Sequence, residues 1–138
     1  MLYALFSAAC GVANISLAQC RSCDIVPITL HNGTHLSYEV INNLPPDWAA
    51  YNVPSFIDPN QMREFTVHGS SSSSGNVTGT LVFYRNNLDP QFTLRMTFNS
   101  KGQLEGDPAC QATSAHSCAV SKVSTEGNVI RYKIDFHE

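Results

Sequence analysis

The side chains of this chain that could move protons are His31, His35, His68, His116 and His137, with Asp58, Glu64, Asp89 and Asp107 as carboxylate partners. Their spacing carries no catalytic pattern. His31 and His35 stand four apart, but Asn32-Gly33 between them marks a turn rather than one face of a helix. The chain has no His-Glu-x-x-His zinc motif and no Gly-x-Ser-x-Gly elbow. No glycine-rich loop opens a helix, so a phosphate cradle is not expected. Scattered histidines and carboxylates of this kind are ordinarily solvated surface groups. The sequence therefore predicts a protein that is not an enzyme and needs no metal or cofactor.

Cysteine chemistry is better defined. Beyond Cys10, the chain holds Cys20, Cys23, Cys110 and Cys118, an even set that suits a disulfide framework. Cys20-x-x-Cys23 has thioredoxin-like spacing, but the βαβ pattern that such chemistry needs does not follow it. A four-cysteine zinc site would require closer spacing than Cys110 and Cys118 have. Two early and two late cysteines leave three connectivities. A bridge across a loop of about 100 residues contributes up to about 4.7 kcal/mol in the chain-entropy model, far more than a short one. It would also pin an N-terminus that otherwise frays. The expectation is two bridges joining Cys20 and Cys23 to Cys110 and Cys118, with two local bridges as the rival.

Two sequons, Asn32-Gly33-Thr34 and Asn76-Val77-Thr78, lie beside expected turns, making Asn32 and Asn76 candidate glycan acceptors. A third, Asn14-Ile15-Ser16, lies in the leader described below. Trp48, Tyr51 and Phe56 share one long proline-framed connection and form the best candidate binding group, because amphipathic rings suit a membrane interface or a protein contact. The competing reading is that these rings cap the core.

The elements that would position these residues read as strands. Phe92, Leu94, Met96 and Phe98 alternate with polar residues, as do Ile130, Tyr132, Ile134 and Phe136. Less regular alternation covers 25–31, 35–42, 62–68, 77–85 and 117–124, giving about seven strands. Asn32-Gly33 and Gly127-Asn128 are hairpin signals, and 69–75 and 86–90 read as loops. No sustained three-four spacing predicts a long helix. The fold class expected is all-β, an antiparallel β-sandwich stapled by disulfides, with a small barrel as the alternative. Two longer connections interrupt it, 43–61 and 100–116. Long connections in a small domain usually carry function or a clamp.

The first 18 residues contain no charged side chain and a long apolar run, with Ser16 and Ala18 placed as a signal peptidase requires. A signal peptide over 1–18 is expected, cleaved before Gln19, leaving one domain over 19–138 in a secreted, extracellular protein. As a membrane anchor the run is short and is broken by Gly11, Asn14 and Ser16. No other apolar stretch approaches a membrane span. The formal charge of −3 disfavours nucleic acid and attraction driven by anionic lipid.

One stretch resembles a known family. Asn42, Trp48, Pro54-Ser55-x-Ile57-x-Pro59 and Phe65, then Gly75-x-x-x-Gly79-Thr80-x-x-x-Tyr84, Phe92 and Phe98-Asn99-x-x-Gly102, resemble the aegerolysins over about residues 28–103. Pro59-Asn60 stands where that family often has Pro-Gly. The resemblance implies an actinoporin-like β-sandwich that recognises membrane lipid, a component of a cytolysin, and a fungal source. The expected partner is thus a membrane lipid or host surface. The alternative is a secreted effector or structural protein that binds a protein or glycan without membrane activity.

Overall fold

The computed structural model describes residues 20–86 and 89–138. The expected signal peptide, 1–18, lies outside the described residues. Ten strands follow in order: β1 (Ile25–Asn32), β2 (Tyr38–Asn43), β3 (Ala49–Tyr51), β4 (Phe56–Ile57), β5 (Met62–His68), β6 (Val77–Tyr84), β7 (Phe92–Phe98), β8 (Ala109–Ala112), β9 (Ser117–Glu126) and β10 (Val129–His137). One sheet has the order β3-β5-β1-β10-β9, the other β4-β2-β6-β7-β8. The two pack face to face, so the expected sandwich is the fold. Among the described residues no helix is long and apolar enough to cross a membrane.

Alternation built this core, because period two puts every second side chain between the sheets. Ile28, Leu30, Phe65, Leu94, Met96, Ile134 and Phe136 are all buried in one cluster. Phe92 stacks flat on Phe136 with centroids 3.8 Å apart, and Phe83 meets Phe136 edge-on at 4.9 Å. Ile130, expected inside, is only partly buried at the margin of that cluster.

The sheets depart from expectation in three ways. The strand count among the described residues is ten because β3, β4 and β8 lie in the two long connections, with too few residues to show a period. The sandwich is not wholly antiparallel: β1 and β10 pair in parallel, with Ile28 opposite Tyr132 and Leu30 opposite Ile134. The cysteine pairing is local, Cys20 with Cys23 and Cys110 with Cys118.

The cross-pairing expectation is therefore corrected, and geometry supplies the reason. Ile25, beside Cys23, pairs with Val129 at one end of β10, whereas Cys118 pairs with Phe136 near the other. At about 3.3 Å per residue, the stretch from Val129 to Phe136 spans roughly 23 Å, far beyond disulfide reach. The N-terminal segment is held by other means. Asp24 N–H donates to Gly102 O at 2.9 Å, Asp24 Oδ2 accepts from Leu104 N–H at 2.7 Å, and Asn128 Nδ2 donates to Cys23 O at 2.8 Å. Gly102 has φ 77°, and a Cβ there would collide with Cys23 Sγ, so glycine is required twice over. The Cys110–Cys118 bridge joins the edge strand of one sheet to the edge strand of the other. At the opposite seam the chain itself crosses between sheets, from β3 to β4.

Candidate binding surfaces

The three rings of the 43–61 connection do not form one group. Trp48 is buried, 6% exposed, and packs edge-on against Phe98 with centroids 4.8 Å apart. Gly79 in β6 makes the space: a Cβ there would lie 2.7 Å from the Trp48 ring and 2.6 Å from Pro45. Trp48 is thus a core residue, and its assignment as a surface-binding residue is corrected. Tyr51 and Phe56 are exposed, 48% and 46%, but on opposite outer faces. Tyr51 pairs with Thr66, whose neighbours Phe65 and Val67 point inward, so Tyr51 stands on the outside of the first sheet. Phe56 pairs with Glu39, next to the buried pair Tyr38 and Ile57, so it stands on the outside of the second.

Around Phe56 the outer face of the second sheet sets exposed apolar side chains among polar ones. Glu39 links Phe56 to Tyr84, and the next row runs Ile41, Val82, Thr93. Ile41 is 46% exposed. Arg63 reaches from the end of β5 so that its guanidinium carbon sits 5.4 Å from the Phe56 centroid, a cation–π arrangement. Its Nε is enclosed and finds no hydrogen-bond partner among the described residues. Arg95 projects from β7 on the same outer face. Among the described residues neither arginine forms an ion pair. A half-exposed phenyl, an exposed isoleucine and two unneutralised cations can enter a headgroup layer, the rings and aliphatics displacing water while the arginines meet phosphate.

Patterning held a signal for this patch. Leu81-Val82-Phe83 and Val40-Ile41 break strict alternation, and the odd residue of each run must point outward.

The candidate glycan acceptors differ. Asn32 is fully buried. Its Nδ2 donates to Leu36 O at 2.7 Å and Asp58 O at 3.0 Å, and its Oδ1 accepts from Thr34 N–H at 3.1 Å and Thr34 Oγ1–H at 2.7 Å. A glycan on that nitrogen cannot coexist with this network, so Asn32 is a structural hub and its assignment as an acceptor is corrected. Asn76 is exposed. Among the described residues no group of three or more His, Cys, Asp or Glu side chains could hold a metal ion.

No protein-family model and no curated protein matches this sequence. Solved structures do resemble it. The lipid binding protein Nakanori aligns with TM-score 0.53 and 8% identity, covering 91% of this chain and 79% of that one. IP-1A from Alcaligenes faecalis aligns with TM-score 0.53 and 12% identity, covering 87% and 96%. The likeness is one of fold. It agrees at that level with the sandwich implied by the family resemblance. The residues carrying that resemblance also prove architectural. Trp48 and Gly79 of the motif touch each other, and Asn60 adopts φ 59°, the left-handed conformation that asparagine tolerates where the family has glycine.

Proposed function

We propose that this protein is a binding module, not an enzyme, that docks the outer face of its second sheet onto a membrane lipid surface. The observation that carries the reading is the pair Phe56 and Ile41, each 46% exposed on one sheet face, with the Arg63 guanidinium over the Phe56 ring. A fold-level neighbour that is itself a lipid binding protein supports it. Two disulfides fit an extracellular setting, and the net charge of −3 favours zwitterionic over anionic membranes.

Co-sedimentation with phosphatidylcholine–sphingomyelin vesicles tests the proposal. Wild-type protein should pellet with the vesicles. Truncating a half-exposed phenyl that becomes buried on docking forfeits about 1–2 kcal/mol, so Phe56→Ala should weaken association about five- to thirtyfold. Ile41→Ser should weaken it as well. Both variants should melt at the wild-type temperature, because neither side chain is in the core. Wild-type protein left in the supernatant, or variants that pellet like wild type, would sink the reading.

A further inference from the structure

The outer face of the first sheet, on the far side of the sandwich from Phe56, carries a trough of about 480 Å³. That size lies in the usual range for small-ligand sites. Its floor is β1, where Pro27 and Thr29 are short. Glu64, Thr66 and Asn52 rise along one wall and Arg131 and Val123 along the other, and Ile25 and Val129 close one end. Three departures from regular sheet coincide beneath it. Pro27, which has no N–H to donate, occupies the central strand of the sheet, where proline is rarely found. The β1–β10 ladder pairs Ile25 with Val129 and resumes only at Ile28 with Tyr132, skipping Val26 and Pro27. The β10–β9 register shifts between Arg131 and Tyr132, which are opposite Ser124 and Lys122, so Val123 is the extra bulge residue and is 63% exposed. Bulges of this kind re-aim side chains beside binding sites.

The charges point to the ligand. Elsewhere on this face opposite charges pair: Asp135 Oδ1 lies 3.1 Å from His31 Nδ1 and 3.8 Å from Lys133 Nζ. In the trough, Glu64 and Arg131 form no ion pair among the described residues, with each other or elsewhere. The lining then offers one carboxylate that accepts, one guanidinium that donates, and the Thr29, Thr66 and Asn52 side chains that do both. Between them on the floor, the Pro27 ring offers an apolar surface. A net anion would meet Glu64, and a net cation would meet Arg131. A hydrocarbon chain would leave both charges desolvated and unpaired. A sugar ring matches the set, with hydroxyls that donate and accept around its rim and a C–H face for Pro27. Tyr51, exposed beside Thr66, stands at the margin where a second ring would stack.

We propose that this trough is a binding site for neutral carbohydrate, separate from the lipid-facing patch. The test is an array of immobilised neutral, sialylated and sulfated oligosaccharides, followed by competition with free glucose, galactose, mannose and N-acetylglucosamine. Wild-type protein should bind neutral glycans. Glu64→Gln and Arg131→Ala should each weaken that binding at least tenfold, with unchanged circular dichroism and melting temperature. Phe56→Ala should bind the array like wild type, which keeps this result distinct from the vesicle experiment. Binding to no glycan, binding to acidic glycans alone, or binding unaffected by both trough substitutions would overturn the proposal.

Discussion

Single residues divide sharply here between those that hold the fold and those left free to bind. Trp48 is the clearest of the first kind. Its ring covers Gly79 and meets Phe98, so Trp48→Ala should destabilise the protein by about 3–5 kcal/mol, read by chemical denaturation. Gly79→Ala should also destabilise it, because the added methyl must displace either Trp48 or Pro45. If Trp48→Ala keeps wild-type stability and loses only binding, the core assignment fails. From sequence, Trp48 and Phe56 looked alike: both sit in one long connection without a period, and period is what separates inside from outside. What distinguishes them is tertiary. One ring lies over a bare glycine in another strand, and the other ends on a sheet face beside an arginine. Asn32 posed a similar difficulty, since a sequon shows what an enzyme could modify and not whether the amide is already bonded on both sides.

At the scale of elements, legibility followed length. β7 and β10, with seven and nine residues, showed their alternation and their core faces in the sequence. β3, β4 and β8, with three, two and four residues, showed nothing, because their strand character comes from a neighbour already in place. The disulfides follow the elements. Cys110 and Cys118 end up adjacent because β8 and β9 are facing edges of different sheets, a relation that spacing does not encode. Peptide mapping without reduction should recover the Cys20–Cys23 and Cys110–Cys118 linkages and none between the two pairs. Replacing Cys110 and Cys118 together by serine should cost about 2–3 kcal/mol, as expected for a short closed loop, and the loss should appear first as faster hydrogen exchange in β8 and β9. An N-terminal peptide linked to the 110–118 region would contradict this architecture.

For the whole molecule, stability should depend on pH through a tie between distant parts of the chain. The Tyr132 hydroxyl donates to Asp107 Oδ1 at 2.7 Å. Burial, and then this bond to a carboxylate, raise the phenol well above its ordinary value of 10.0. The unfolded chain releases that proton near pH 10, while the folded protein retains it. Folding stability is therefore fully present below pH 10 and declines as pH rises beyond it. Tyr132→Phe should flatten that alkaline decline while lowering stability at neutral pH by about 1–2 kcal/mol, measured by urea denaturation from pH 7 to pH 11. An equally steep decline in the variant would assign the slope to other groups. The parallel pairing of β1 with β10 also has a consequence during synthesis. β10 lies inside its sheet, between β1 and β9, yet every other strand of the described residues leaves the ribosome before it. Until residues 129–137 emerge, β1 keeps one edge open and β9 has no neighbour in its own sheet. The nascent chain must carry the open edge of β1 through most of the synthesis of this domain, and the strand that closes it is also the one that brings the newly made β9 into the sheet.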